Sequence, residues 1–152
     1  MKPPRTPTPW DALFMQMAHL ASERSKDPDT QNGAVVVDEH HIVVATGFNG
    51  PPPGIDDTAI DWSRPNKYRW VIHAEDNAIY FATAARGLAG LRDCTLYVTG
   101  RPCSRCALQI RRAGITTVVF DPSKVIAMVD DGEWASSVEI LGLHVSIQEF
   151  RI

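Results

Sequence analysis

Four residues in this sequence have the types and spacing to do chemistry together. His73 and Glu75 lie in Val71-Ile72-His73-Ala74-Glu75, and Cys103 and Cys106 lie in Pro102-Cys103-Ser104-Arg105-Cys106. Two cysteines three apart on a helix share a face, so both sulfurs reach one ion. One histidine and two thiolates make three good zinc ligands and leave a fourth position open, which is the pattern of a catalytic zinc. Glu75, two residues from a ligand, is near such a metal without having to bind it, as a proton shuttle requires. An acid at a helix N-terminus is also favoured by the helix dipole alone, and a C-x-x-C pair can be a redox couple or half of a zinc knuckle. A knuckle needs a fourth ligand, and the remaining thiol, Cys94, opens a predicted strand over 94–99. At about 3.3 Å per residue that strand holds Cys94 away from the other two, so it reads as a small core residue.

The chemistry-bearing residues sit where extended segments hand over to helical ones. Residues 74–86 form an alanine-rich helical pattern closed by Gly87, and residues 104–113 form a second one, opened by Pro102 and closed by Gly114. Upstream, Thr8-Pro9-Trp10-Asp11 reads as a helix start, with Thr8 as N-cap and Pro9 at the first helical position. Leu13, Met17 and Leu20, with Phe14, Ala18 and Ala21, give that helix an apolar face. Residues 34–37 and 42–46 read as a β-hairpin whose turn carries His40 and His41; neighbours on a turn point apart, so they do not read as a metal pair. His19 reads as structural or solvated. Strands are predicted over 94–99, 116–120 and 143–147, and a last helix over 133–141 stopped by Gly142. Strand, helix, strand, helix, strand implies parallel pairing with right-handed crossovers.

Together, H-x-E and P-C-x-x-C resemble the signature of the zinc-dependent cytidine and deoxycytidylate deaminases. Three further stretches extend the likeness to the deoxycytidylate deaminase branch: Lys26-Asp27-Pro28 through Gln31 to Gly33-Ala34, Gly47-Phe48-Asn49-Gly50 through Asp56-Asp57, and Lys67-Tyr68 through His73-Ala74-Glu75 to Asn77-Ala78-Ile79. The resemblance implies a three-layer α/β/α fold around a five-stranded mixed sheet. It implies one catalytic Zn2+ per chain on His73, Cys103 and Cys106, with Glu75 as the proton shuttle while activated water attacks C4 of a cytosine ring, and hydrolysis of dCMP to dUMP and ammonia. For substrate it implies Asn49, the backbone of Ala74 and a cation for the 5′-phosphate, with Lys26 put forward and Arg24, Lys67 and Arg101 beside it. It further implies a homo-oligomer, commonly a hexamer, and control by dCTP and dTTP near the Asp56-Asp57 loop, where a carboxylate pair can hold Mg2+ against a triphosphate. Departures from the family pattern occur at Asn32, Asp76 and Thr99-Gly100-Arg101, all at the rim of the expected pocket.

The 152 residues are most simply one domain, 1–152, with 1–7 as a loose Pro- and Thr-rich arm. Fifteen basic against 18 acidic residues and no long basic run argue against a nucleic-acid footprint. Three cysteines fit a reducing compartment. No apolar stretch approaches a membrane span and the first residues lack the core of a signal peptide, so a cytoplasmic location is expected. Two other readings stay open: a related deaminase acting on another cytosine compound or on tRNA adenosine, and a non-catalytic nucleotide-binding zinc protein. The long segment 50–72 and the absent basic excess weigh against the tRNA reading, and the intact Glu75 weighs against the last.

Overall fold

Each of the apolar strands buries one or both faces, and the helices supply the cover. In a computed structural model, which describes residues 3–124, 126 and 129–152, the order is α1 (Trp10–Ser22), β1 (Gly33–Val37), β2 (Val43–Phe48), α2 (Ala74–Arg86), β3 (Thr95–Val98), α3 (Ser104–Ala113), β4 (Thr117–Phe120), α4 (Asp131–Leu141) and β5 (Ser146–Glu149). The strands form one five-stranded sheet in the order β2-β1-β3-β4-β5. β1 runs antiparallel to β2 and β3, while β3, β4 and β5 are parallel. The mixed sheet and its helix-linked parallel half are as the sequence implies.

Alternation along β1 shows the layering directly. Ala34 and Val36 join the core formed with α2, α3 and Leu141, whereas Val35 and Val37 meet Phe14, Met15 and Ala18 of α1 on the other face. The Tyr97 hydroxyl donates to Asp11 Oδ1 at 2.7 Å and fixes α1 to β3. Two glycines allow the close approach of the layers. A Cβ on Gly33 would lie 1.9 Å from the Ala18 carbonyl oxygen, and one on Gly47 would lie 2.5 Å from that of Ala74 and 2.4 Å from the Ala78 nitrogen.

Three local expectations are corrected. Pro9, not Thr8, occupies the N-cap of α1; its ψ of 146° is extended and it has no side-chain acceptor, so the helix starts uncapped. The buried stripe of α1 is Phe14, Met15, Ala18 and Ser22, and Leu20 is 65% exposed, because two residues past Ala18 is about 200° round the helix. β5 begins at Ser146 and not at 143, since Gly142–His144 makes a further 3-10 turn beyond α4. His19 is structural in part: its Nε2 lies 3.0 Å from Asp121 Oδ2. His41 stacks on Trp10, and Cys94 is a buried free thiol whose sulfur faces the Gly90 carbonyl.

Candidate metal centre and substrate cavity

Helix starts position the donor set. His73 stands at the N-cap of α2 and Cys103 at the N-cap of α3, with Cys106 one turn on, so both helices point their first turns at one spot. His73 Nδ1 is 3.5 Å from Cys103 Sγ and 3.3 Å from Cys106 Sγ. A tetrahedral zinc with its usual bond lengths separates nitrogen and sulfur ligands by about 3.6 Å. The three donors thus fit zinc without rearrangement, and among the described residues they are the one His/Cys/Asp/Glu cluster so arranged.

Protonation follows from the mutual contacts. The Cys106 thiol donates to Cys103 and, with His73, holds Cys103 well below the ordinary thiol range against the opposing effect of burial. The same hydrogen bond, with burial, pushes Cys106 up, and the contact with Cys103 raises His73. A metal held by these three residues would therefore displace protons from His73 and Cys106. Burial raises the Glu75 carboxyl to about 7, with the His73 charge opposing, so this group exchanges protons near neutrality.

The cavity beside the cluster gathers residues far apart in sequence. Glu75, His73 and Cys103 line it together with Asn49, Asn32, Thr30, Asp27, Arg64, Lys67, Tyr68 and Arg101. Asn49 is fixed at both ends of its amide: Oδ1 accepts from the Asn32 N–H at 2.7 Å, and Nδ2 donates to the Thr30 carbonyl at 2.8 Å. One amide hydrogen and one lone pair remain for a ligand. Ala74 is buried at the first position of α2, where the helix itself gives its N–H no acceptor. Asn32 and Arg101, two of the family departures, do line the cavity. Asp76 does not; its Oδ1 is buried without a hydrogen-bond partner, and burial raises its carboxyl.

The cations sort differently from the sequence reading. Lys26 pairs with Asp57 and is outside the cavity wall, and Arg24 is exposed elsewhere. Lys67 lines the cavity, but its ammonium is buried against Asp27 at 2.8 and 2.9 Å and Asp29 at 3.1 Å, so its charge is already matched. Arg101 and Arg64 line it as well, Arg64 held by Thr30 Oγ1 at 3.0 Å. Each has only a solvent-exposed carboxylate beside it, Asp131 at 3.1 Å from Arg101 and Asp29 at 3.9 Å from Arg64, so their charges are less fully matched than that of Lys67. Nothing marked Arg64 in the sequence beyond a place in the long segment between Asn49 and His73. In that segment Asp56 accepts from Thr58 and Asp57 from Lys26, so both carboxylates of the expected Mg2+ pair have partners within the chain.

Comparison with known proteins agrees with this geometry. The model of the family "Cytidine and deoxycytidylate deaminase zinc-binding region" matches residues 8–121. A probable deoxycytidylate deaminase of Caenorhabditis elegans is 40% identical over 111 residues, 70% of this chain and 54% of that protein. The deoxycytidylate deaminase of Mus musculus is 39% identical over 121 residues, 76% of this chain and 66% of that protein. The chain thus spans between about half and two-thirds of the length of these curated relatives. The crystal structure of the dCMP deaminase of cyanophage S-TIM5 shares the fold, with a TM-score of 0.72 and 24% identity over 92% of this chain and 96% of that one. The chain belongs to the zinc-binding cytidine and deoxycytidylate deaminase family.

Proposed function

We propose that this chain hydrolyses dCMP to dUMP and ammonia, a step toward dTMP. The observation that carries the reading is the convergence in one cavity of the buried Glu75 carboxyl, the His73/Cys103 face of the donor set, Asn49 and two guanidiniums, Arg64 and Arg101. Relatives bearing the name deoxycytidylate deaminase support the nucleotide. Zinc on His73, Cys103 and Cys106 supplies the Lewis acidity that makes water nucleophilic near neutral pH. Glu75 takes the proton given up as the water oxygen adds to C4 and passes it to ring N3. The proton left on the adduct's hydroxyl returns through Glu75 to the 4-amino nitrogen, which leaves as ammonia. Asn49 and the Ala74 N–H hold the sugar and base, and Arg64 with Arg101 meets the 5′-phosphate.

Ammonia release from dCMP, CMP, deoxycytidine and dCTP, measured side by side, is the test. A clear preference for dCMP is expected. Equal rates with deoxycytidine would remove the role of the arginines, and no ammonia from any of the four would remove cytosine deamination altogether.

The same proposal extends to assembly and control. A homo-oligomer, up to a hexamer, is supported by exposed apolar residues on the outer face of α2 and beside it: Tyr80 and Phe81, ring centroids 5.4 Å apart, and Leu88, with Leu108 on α3. Control by dCTP and dTTP is supported by chain continuity, since the segment carrying Asp56 and Asp57 also carries the cavity residues Arg64, Lys67 and Tyr68. Mg2+ at that carboxylate pair requires Thr58 and Lys26 to give way to the ion. A cytoplasmic location is supported by three unpaired cysteines; no helix among the described residues is long and apolar enough to cross a membrane.

A further inference from the structure

The helix that presents both cysteines has an unusual start. Cys103 occupies its N-cap but makes no side-chain cap hydrogen bond, so the first amides of α3 are left without the usual local acceptor. The Ser104 amide is met instead from 29 residues away: it donates to Glu133 Oε1 of α4 at 2.7 Å. Two more contacts from the same turn of α4 reach the other side of the cysteine. Arg101 Nη1 pairs with Asp131 Oδ1 at 3.1 Å, and the Arg101 guanidinium lies 5.5 Å from the centre of the Trp134 ring. Trp134 is itself seated edge-on against Phe120 at the end of β4, 5.0 Å between centroids. The segment from Arg101 to Ser104 is thus gripped on both flanks of Cys103 by one turn of a helix that lies beyond the residues matched by the family model.

We infer that Glu133 is a positioning residue for the metal centre. It acts through the Ser104 amide to fix the start of α3, and with it the directions in which Cys103 and Cys106 present their sulfurs. The physical case rests on rigidity. A helix N-terminus without a cap frays, and here fraying moves two of three zinc ligands at once, whereas a carboxylate on N–H is among the stronger hydrogen bonds and is favoured by the helix dipole. The Ser104 hydroxyl and amide hold the Glu133 carboxyl below its ordinary range, so it remains an acceptor through neutral pH. Partners one shell out from a metal typically change its affinity by about 10–100-fold when removed. This inference rests on the zinc reading of the same site.

The test measures metal and not turnover. Zinc affinity of the stripped protein is read by competition with a chromophoric chelator, and ligand geometry by the absorption bands of the cobalt(II)-substituted protein. Glu133→Ala is expected to weaken zinc by about 10-fold or more and to shift the cobalt bands, while Glu133→Gln, which keeps an oxygen acceptor at the same reach, restores most of both. Ser104→Pro provides an independent arm, since it removes the donor and leaves Glu133 in place. Proline is tolerated at the first helical position, and Cys103 already has the extended φ −75°, ψ 167° that precedes a proline. The double variant should lose no more affinity than Ser104→Pro alone, the signature of two residues acting through one contact. If Glu133→Ala fails to fold, zinc weakened by Ser104→Pro and retained by Glu133→Gln supports the inference. Wild-type affinity in Glu133→Ala or Ser104→Pro, additive losses, or equal loss in the Ala and Gln variants would overturn it. Failure of the wild-type chain itself to bind zinc would instead strike the reading of the whole site.

Discussion

Gly50 and Ile72 exchange both of their backbone hydrogen bonds, Gly50 N–H to Ile72 O at 3.0 Å and Ile72 N–H to Gly50 O at 2.9 Å. This single bridge closes the long segment between β2 and α2 and places Asn49 and His73, each one residue away, on adjacent strands of backbone. The proposed substrate-holding amide and the first candidate metal ligand are thereby fixed to each other by main chain.

Asn49→Ala should show that this residue has two tasks. Its amide makes hydrogen bonds of 2.7 and 2.8 Å to the 30–32 backbone. At about 0.5–1.5 kcal/mol each, their loss should lower stability by roughly 1–3 kcal/mol. KM for dCMP should rise as well. Denaturant unfolding and steady-state kinetics on the same variant check both parts, and a change in KM at unaltered stability would assign the residue to substrate alone.

Glu75→Gln should separate metal from chemistry. The ligands are untouched, so zinc content by elemental analysis should stay at one per chain, while turnover falls by about 100-fold or more, the range for a positioned acid–base. Cys103→Ala or Cys106→Ala should lose metal and activity together. Turnover near that of the wild type in Glu75→Gln would mean that another group moves the protons.

Lys67 and Arg64 line the same cavity but should behave in opposite ways. Removing the Lys67 ammonium strands the Asp27 carboxylate, whose side chain is 3% exposed, so Lys67→Met is expected to cost about 3–5 kcal/mol of stability. Arg64→Ala should leave stability nearly unchanged and raise KM for dCMP without raising it for deoxycytidine. A stable Lys67→Met with a selective defect toward the nucleotide would return Lys67 to the phosphate.

Asp121 should set part of the acid sensitivity. Burial raises its carboxyl, but the Ser123 hydroxyl and amide and His19 outweigh this and hold it below its ordinary value. A group depressed in the folded state adds stability that is present above the unfolded-state pKa, about pH 4, and is lost as pH falls through the folded value. Unfolding midpoints measured from about pH 6 down to about pH 3 should therefore converge between wild type and Asp121→Asn. A constant gap across that range would exclude Asp121 as the titrating group.

The candidate donor set of His73, Cys103 and Cys106, the place of Glu75 beside it and the order of helices and strands were legible in the sequence itself. Their signals are local: H-x-E and P-C-x-x-C place donors at helix starts, the spacing of three puts both sulfurs on one face, and Gly87 and Gly114 end their helices where the pattern stops. The cations were decided by the tertiary structure. Lys26, Lys67, Arg64 and Arg101 are equivalent as letters, and only the folded chain pairs Lys26 with Asp57 away from the cavity, buries Lys67 against Asp27, and sets Arg64 and Arg101 on the cavity wall with only exposed carboxylates, Asp29 and Asp131, beside them. The same holds for Glu133, whose acceptor role depends on α4 lying across the start of α3. Charge pairing is a property of distance, and distances between residues 30 to 100 positions apart are set by how layers pack, which no local spacing encodes. Gly47 marks the boundary: its letter reads as a turn residue, but the reason for it is the backbone of α2 lying where a Cβ would be.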